Sequence, residues 1–503
     1  MLNMEISYGA RIIILALIVI ATFSARVHFA YKNPDFVDEY SYFYARQAEN
    51  FHQYGTLLLD DSITKDKEFM YFPPAFVYII SALSYLFSLE IIGKIILNAV
   101  AVSSVILIYL ISEHITHHNI VSLTAAAIGG FVPSYFALTF GSLSPYSIVV
   151  PLILVIWYTF LNLSSQYSIP IYLTAIILLG FLHPSIIIVA LTLVIYIILM
   201  RLEQIQIPNE EVEITLFTLF FVLWSQFLLY KQALLLHGIS TIWQNIPPQL
   251  LQTYFSEFTI IDALIAVGTF PLAFGMFTII KYLHNIKNAP INLIIAFGLS
   301  AGLLTYYRLL EPIIGFALLG ISFVLLFAPA FKLTLTYIPQ TKAAPYYIPV
   351  TILLILTILI FAIIPAYNYA QKTINTSIVT DDLPSLIWMR YNIPPDAVIA
   401  STPKEGNLIR SISRKQTILD TNFLLLTNAK ERYNDLVTIF TSPVSTTAIA
   451  TMEKLGSNYV FVSNTARNHF RITEPPFSTS PCFKTTTIGT TTVYQRICNV
   501  HTN

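Results

Sequence analysis

The feature that most constrains this chain is a long stretch with almost no charged residues. Between Pro73 and Met200 the only charged side chains are those of Glu90, Lys94 and Glu113. A bilayer core is about 30 Å thick, and about 20 apolar residues in a helix cross it. Runs of this length must be helical because every backbone polar group inside lipid needs a partner. The stretch therefore predicts a succession of transmembrane helices.

The composition of the whole chain leads to the same class of protein. Of its 503 residues, 55% are hydrophobic and only 11% are charged, whereas soluble domains carry about 25% charged residues. This excludes a cytoplasmic enzyme, a secreted disulfide scaffold and a disordered chain. The 27 basic residues balance the 27 acidic ones, so nothing points to a nucleic-acid partner. The chain is predicted to be a polytopic membrane protein in contact with the lipid bilayer.

Eleven apolar runs are long enough to be membrane spans. They cover residues 10–30, 74–92, 94–112, 119–139, 145–162, 169–200, 212–232, 259–281, 289–307, 311–331 and 346–368. The sixth run is too long for one crossing and contains Gly180 and His183-Pro184, so it is either one kinked helix or two short ones. Twelve spans are therefore the alternative to eleven.

The basic residues near short connections orient these spans. The positive-inside rule places such residues in the cytoplasm; here they are Arg11, Arg201, Lys281, Lys287, Lys332 and Lys342. Eleven spans then give a multi-pass cell-membrane protein with a cytoplasmic N-terminus. Two charge-rich blocks, Lys32–Glu68 and Lys372–Arg496, are expected on the extracytoplasmic side.

The chain divides by composition into two parts. Residues 1–370 are expected to form a transmembrane module with its first outer loop at 31–73, and residues 371–503 a small extracytoplasmic α/β domain. The domain pattern predicts helices near 383–391, 430–440 and 447–455, strands at 397–400 and 459–463, and a hairpin from 483–487 and 491–496. It contains no glycine-rich phosphate loop, HExxH or CxxC motif, so it is interpreted as a support or acceptor-binding module.

Cys482 and Cys498 are the only cysteines of the chain. They bracket the predicted hairpin in the part of the chain assigned to the outside. A disulfide there suits an oxidising compartment, and two free thiols are the alternative.

Three carboxylates crowd the first outer loop directly after the first span. Asp35, Asp38 and Glu39 lie within five residues, in a segment that we call the acidic loop (residues 33–39). Like charges at this spacing raise one another's pKa, so they are costly unless solvated or used. A plain solvated loop is the alternative. Aromatic residues from Tyr40 to Phe51 then recur at helical spacing, which indicates an amphipathic helix at the depth of lipid headgroups, where a lipid-linked phosphate would lie.

The outer loop ends with Tyr71-Phe72-Pro73-Pro74. The two prolines keep the backbone at Tyr71 extended before the next helix, although a simple helix start explains them too. An Asp-Glu-Tyr motif after the first span, a juxtamembrane helix and a Pro-Pro start of the second span resemble the GT-C glycosyltransferases. The resemblance is to the protein O-mannosyltransferase, aminoarabinose transferase and RgtA/B/C/D-like branch, and it extends to the plan of about a dozen spans with a C-terminal outer domain.

The resemblance implies a function and roles for the loop residues. A hexosyl or pentosyl group is expected to pass from a polyprenyl-phosphate donor to a protein, lipid or glycan acceptor. Asp38 corresponds to the general base, and Glu39 is its orienting neighbour. Asp35, Tyr40 and Tyr71 are expected to help bind substrate. One carboxylate on the attacking side and a phosphate leaving group imply a single displacement with inversion.

A leaving phosphodiester needs a cation, for which Arg308 is the candidate. It lies at the outer end of the ninth span, between Tyr306-Tyr307 and Glu311-Pro312, and a guanidinium donates two bonds to a phosphate. The alternatives are an interfacial arginine beside two tyrosines and an ion pair with Glu311.

Glu113 and the histidines at 114, 117 and 118 form a second polar cluster. With eleven spans they face outward, where Glu113 resembles the second-loop carboxylate that some GT-C enzymes use for a metal or a donor phosphate. Because no DxD or ExD spacing occurs there, a divalent metal (Mg or Mn) is left open, and a solvated turn is the alternative.

Two further alternatives concern the apolar spans. His183 beside Pro184 is either a functional group or a neutral histidine bonded at a proline kink. A transporter or flippase is the alternative to an enzyme. It predicts inverted repeats and broken helices, but we detect no repeat in the sequence.

Overall fold

The structure is a computed structural model that describes residues 7–55, 73–256, 258–285 and 288–499. Its α-helices are Tyr8–Lys32 (α1), Tyr40–Tyr54 (α2), Ala75–Ser84 (α3), Leu89–Ile91 (α4), Leu97–Thr116 (α5), Asn119–Gly129 (α6), Pro133–Thr139 (α7), Tyr146–Leu161 (α8), Ser168–Leu182 (α9), Ile186–Leu202 (α10), Asn209–His237 (α11), Pro248–Ser256 (α12), Ile260–Val267 (α13), Thr269–Asn285 (α14), Ala289–Tyr306 (α15), Pro312–Tyr337 (α16), Tyr347–Asn375 (α17), Ile378–Asn392 (α18), Pro403–Leu408 (α19), Ala429–Thr441 (α20), Ser445–Lys454 (α21) and Asn464–Phe470 (α22). The strands are Val398–Ala400 (β1), Gln416–Thr417 (β2), Tyr459–Val462 (β3), Phe483–Ile488 (β4) and Thr491–Arg496 (β5).

The helices up to α17 form an apolar bundle with the character of a multi-pass membrane protein. Six helices of the described chain are long and apolar enough to cross a membrane, and two bent pairs, α6 with α7 and α13 with α14, raise the number to eight. The helix at 312–340 is the centre of the bundle, because 83% of the residues in its most apolar stretch are buried. In the helix at 344–375 the corresponding share is 11%. The first therefore packs against other helices, whereas the second faces lipid.

The expected span at 74–92 is not found. Helix α3 ends at Ser84, so it is about 15 Å long, half the thickness of a bilayer core. It packs along α2 in the same direction, with Phe76 beside Tyr44 at a ring distance of 4.7 Å near the helix starts and Ser84 Oγ 2.7 Å from His52 Nε2 near the helix ends. An apolar run is compatible with a helix that lies along a neighbour as well as with one that crosses the membrane.

The over-long run at 169–200 consists of two helices, α9 and α10. Helix α9 ends at Leu182 because His183 adopts an extended conformation before Pro184. Helix α11 pairs with α9 in the same direction, as Tyr172 contacts Thr218 at 2.7 Å and Gly180 accepts a bond from Gln226 at 3.2 Å. The alternative of two short helices is therefore the one that the structure adopts.

The C-terminal region forms a five-stranded sheet flanked by short helices. The strand order is β2-β1-β3-β5-β4, with β1 parallel to β2 and β3, and β5 antiparallel to β3 and β4. The hairpin turns at Gly489, whose φ of 58° favours glycine, and a disulfide joins Cys482 to Cys498 at its base. The predicted strands and hairpin occur within a few residues of their expected positions, whereas β2, α19 and α22 were not predicted.

The sheet docks on α2 through a shared apolar core. Tyr42 of α2 and Phe36 of the acidic loop pack in one cluster with Ile399, Phe461 and Met389 of the C-terminal region. This contact fixes the C-terminal region over the end of the bundle that carries the acidic loop.

Lys94 anchors the start of the acidic loop. It lies in a π-helical turn, Ile92–Ile96, and is only 1% exposed. Its Nζ donates to the carbonyl oxygens of Asn33 at 2.9 Å and Pro34 at 2.7 Å, and to Glu90 Oε1 at 3.0 Å. The adjacent Gly93 leaves room for Phe36, because a Cβ there would lie 2.6 Å from the Phe36 ring. The path of the acidic loop is therefore set by a buried ammonium group.

We expect Lys94→Met to lower the free energy of unfolding by about 2–4 kcal/mol, because one buried and one partly buried carbonyl group lose their charged donor. Thermal unfolding in detergent measures this loss. Glu90→Gln is the matched control: Glu90 is 55% exposed, so its loss should cost less than about 1 kcal/mol. Equal stability of the Lys94→Met variant and the parent would contradict the anchoring role.

Candidate functional site

Asp38 is held by the first turn of α2. Its Oδ1 accepts hydrogen bonds from the backbone N–H of Ser41 at 3.1 Å and from the Ser41 hydroxyl. The Ser41 hydroxyl also accepts a bond from the Leu143 N–H at 2.7 Å, which connects the loop before α8 to the first turn of α2. Burial raises the pKa of the Asp38 carboxyl to about 6, while the bonds from Ser41 oppose the increase. Asp38 is thus a fixed carboxylate with a pKa near neutrality.

Tyr40 and Glu311 form a second polar pair beside Asp38. The Tyr40 hydroxyl donates to Glu311 Oε1 at 3.2 Å. Glu311 immediately precedes Pro312, the first residue of α16, so the start of the central helix places it. Burial raises the pKa of Glu311, and the bond from Tyr40 and the charge of Lys404 counteract the shift.

Asp38, Tyr40 and Glu311 line one cavity of about 260 Å³ at this end of the bundle. Other polar lining groups come from the starts of α8 and α10, namely Ser144, Tyr146, His183 and Ser185. The apolar part of the lining includes Leu138, Leu182, Ile187, Ile188, Leu304 and Ile314. A cavity with carboxylates and apolar helix surface in one space suits an amphiphilic ligand with a polar head and a hydrocarbon chain.

The C-terminal region supplies one wall of this cavity, residues 421–425. Two side chains, one at the end of α11 and one shortly after it, hold this wall in place. His237 Nε2 donates to the Leu424 carbonyl at 2.9 Å, and Asn245 Nδ2 donates to the carbonyls of Phe423 and Leu426, both at 2.9 Å. The cavity is therefore built jointly by the helical bundle and the C-terminal region.

Solved structures share this architecture. The oligosaccharyltransferase of Archaeoglobus fulgidus in its apo form matches with a TM-score of 0.66 and 14% identity, over 89% of this chain and 69% of that chain. AglB from the same archaeon, in complex with an inhibitory peptide and a dolichol-phosphate, matches with a TM-score of 0.62. ArnT from Cupriavidus metallidurans bound to undecaprenyl phosphate matches with a TM-score of 0.56 and 10% identity, over 99% of both chains.

These neighbours are GT-C membrane glycosyltransferases. This chain has the GT-C fold. The resemblance drawn from Asp-Glu-Tyr and Pro-Pro is confirmed at the level of the fold. No protein-family model and no curated protein matches the sequence.

Asp38 and Glu39, the two neighbouring carboxylates of the acidic loop, have different surroundings. Glu39 is absent from the cavity lining, and its charged neighbours are Lys404 and Asp420 of the C-terminal region, followed by Glu311 and Asp38. Burial raises the pKa of Glu39 well above its ordinary value, and the charge of Lys404 opposes this. Glu39 thus lies between the cavity and the docked C-terminal region.

Asp35 and Arg308 lie near the cavity but do not line it. Burial raises the pKa of Asp35, and the charge of Lys94 counteracts the increase. Arg308 is exposed, with its guanidinium 5.7 Å from the centre of the Phe255 ring. It lines a smaller neighbouring pocket that shares Glu311 with the main cavity. Tyr71 lies outside the described residues.

Glu113 is not brought to this cavity. It lies near the end of α5, roughly 28 Å along the helical segment from Lys94, which contacts the acidic loop. Just after α5, Asn119 accepts a bond from Arg11 at 2.7 Å, so this end of α5 adjoins the start of α1. Since 74–92 does not cross the bundle, the expected outward placement of Glu113 beside Asp38 is replaced by a position at the opposite end.

Metal ions in proteins are bound by clusters of acidic, histidine or cysteine side chains. Within the described ranges, no group of three or more His, Cys, Asp or Glu side chains is arranged to hold a metal ion. We derive no step through a metal.

Sequence reasoning missed Lys404 and the wall at 421–425, because both reach the site through the docking of the C-terminal region. Glu311 was noted only as a partner for Arg308. One local signal was available for it, since Glu311-Pro312 is a charged residue at the start of an apolar run.

We expect Ser41→Ala to raise the pKa of Asp38 by about one pH unit, since the variant loses a hydroxyl donor to the carboxylate. Infrared titration of the protonated carboxyl band measures this midpoint, and the absence of the band in Asp38→Asn assigns it. Ser84→Ala, which alters a hydroxyl bonded to His52, is the control and should leave the midpoint unchanged. An unchanged midpoint in Ser41→Ala would show that the hydroxyl does not set the acidity of Asp38.

Proposed function

We propose that this protein transfers a sugar from a polyprenyl-phosphate donor to a protein, lipid or glycan acceptor outside the cytoplasm. The observation that carries the proposal is Asp38, a fixed carboxylate of raised pKa that faces an amphiphilic cavity in a GT-C fold. A dolichol-phosphate and undecaprenyl phosphate are bound to two of the similar structures, which supports a lipid-linked donor.

The proposed reaction is a single displacement. Asp38 accepts the proton of an acceptor hydroxyl as its oxygen forms a bond to the anomeric carbon of the sugar. The bond from that carbon to the phosphate oxygen breaks, and the polyprenyl phosphate leaves with the electron pair. Attack opposite to the leaving group inverts the anomeric centre. The Tyr40–Glu311 pair orients the sugar beside Asp38, and Glu39 holds the C-terminal region in place through Lys404.

We further propose that eleven helical segments cross the membrane. They are α1, α4 with α5, α6 with α7, α8, α9, α10, α11, α13 with α14, α15, α16 and α17. This total equals the sequence-based number because the loss of 74–92 offsets the division of 169–200. Arg11, Arg201 and Lys332 then share the cytoplasmic end. The acidic loop and the C-terminal region at 371–503 face the exterior.

We expect Asp38→Asn to reduce sugar transfer by about 10²–10⁴-fold, because asparagine keeps the shape of the side chain but cannot accept the proton. The measurement uses purified protein in lipid vesicles, supplied with labelled polyprenyl-phosphate hexoses and pentoses, and follows release of free polyprenyl phosphate. Asp35→Asn is the matched control, since Asp35 belongs to the same loop but does not line the cavity, and its rate should stay within about twofold. Full activity of Asp38→Asn in correctly inserted protein would refute the assignment.

The pH dependence of transfer tests the same role. Because the pKa of Asp38 is raised to about 6, the base is ionised above this value and protonated below it. The rate should be level above about pH 7 and fall about tenfold for each pH unit below about pH 5.5. In Ser41→Ala this fall should begin at higher pH. A rate that is independent of pH between 5 and 8 would exclude Asp38 as the base.

A further inference from the structure

The starts of two helices meet at one wall of the cavity. Ser144 and Tyr146 lie at the start of α8, and His183 and Ser185 lie at the start of α10; all four line the cavity. Helices α8 and α10 have 16 and 17 residues, so each presents the positive end of a substantial dipole. This wall contains no carboxylate, in contrast to the side formed by Asp38 and Glu311.

The hydrogen bonds of His183 determine which ring nitrogen carries the proton. The backbone N–H of Ser185 donates to Nδ1 at 3.1 Å, and the Ser185 hydroxyl lies 2.8 Å from the same atom. Nδ1 is therefore an acceptor, which assigns the proton of the neutral ring to Nε2. Nε2 has no hydrogen-bond partner among the described residues, and the ring is packed against Tyr146 with its centre 4.7 Å away. His183 thus has an N–H donor that no described residue accepts.

Ser144 supplies an independent sign of a ligand. It is only 3% exposed, lines the cavity and has no hydrogen-bond partner for its hydroxyl among the described residues. Although the residue is buried, its hydroxyl oxygen is open to the cavity and can donate to a group bound there. The wall therefore offers two donors that no described residue accepts, Ser144 Oγ and His183 Nε2, next to two positive helix ends.

We propose that this wall binds the phosphate group of the lipid-linked donor, with His183 Nε2 and Ser144 Oγ donating to its oxygens. The inference rests on the proposed function, since it places the leaving group of that reaction. Neutral donors and helix dipoles stabilise an anion without the desolvation cost of a buried cation.

The residues around the wall identify the phosphate as a lipid headgroup. Leu182, Ile187 and Ile188 are neighbours of His183 and Ser185 in the sequence and also line the cavity. A phosphate held at the helix starts places its hydrocarbon chain along these apolar side chains. Inorganic phosphate has no hydrocarbon chain to contact these apolar side chains, so it should bind much more weakly than the lipid phosphate.

Two substitutions of His183 separate binding from helix capping. Asparagine has an oxygen near the position of Nδ1, so it keeps the bond from the Ser185 N–H but lacks the donor at Nε2. Glutamine reaches the Nε2 position with an amide N–H but loses the cap. We expect undecaprenyl phosphate to bind His183→Asn about ten- to a hundredfold more weakly than the parent, and His183→Gln within a few-fold of it. The assay is titration of the full-length protein in detergent, with inorganic phosphate as the competing probe.

Ser144→Ala gives a second readout. Because the hydroxyl bonds to no residue that the structure describes, its removal should leave the melting temperature unchanged or slightly higher, while undecaprenyl phosphate binds about three- to tenfold more weakly. A merely structural serine would change stability and not affinity.

The outcomes distinguish this inference from the proposed function. Asp38→Asn should bind undecaprenyl phosphate as the parent does. Binding to His183→Asn at parental affinity, or loss of binding only in His183→Gln, would overturn the phosphate site and leave the role of Asp38 intact. Inorganic phosphate that binds as tightly as undecaprenyl phosphate would overturn the assignment to a lipid headgroup. No binding of undecaprenyl phosphate to the parent would overturn the proposed function as well.

Discussion

The site depends on the apolar contact between α2 and the C-terminal sheet. Tyr42 packs in a cluster with Ile399 and Phe461 of the sheet. The residues next to Tyr42 in α2 therefore lie close to the C-terminal region. This docking places the wall at 421–425 over the cavity and Lys404 near Glu39. Without the contact, Asp38 would lie on an open membrane surface, where solvation would return its pKa towards the ordinary range. A hydrophobic interface thus creates the electrostatic environment of the carboxylate.

The acidic residues near the cavity are tolerated because each has a specific compensation. Asp38 accepts two bonds from Ser41, Glu311 accepts one from Tyr40, and Glu39 lies near the ammonium group of Lys404. None of these compensations fully offsets burial, so the pKa of each carboxyl remains raised. Retaining several such groups at one place is costly for stability, and such clusters are typical of functional sites.

The local parts of this fold were predictable from the sequence, and the long-range parts were not. The alternating pattern of residues 483–496 defines a hairpin by itself, and the acidic loop follows directly from the charges. The expected span at 74–92 illustrates the limit: hydropathy measures whether a helix is apolar, but not whether it packs along α2 or crosses the bundle. That one difference moved Glu113 to the other end of the molecule. Lys404 reaches Glu39 only through tertiary docking, for which a single sequence contains no signal.

His183 shows how a local signal gains its meaning from the fold. From the sequence, a histidine before a proline in an apolar run was explained equally well as a neutral group at a kink and as a functional residue. The structure combines the two readings: Nδ1 accepts the Ser185 N–H at the start of α10, which leaves the proton on Nε2 of a ring that lines the cavity. In a helical membrane protein, regular backbone bonds occupy the main-chain donors within each helix, so unpaired polar groups concentrate where helices begin and end. Chemistry in such a bundle is therefore expected at breaks like that between α9 and α10, opposite a loop that supplies the charge.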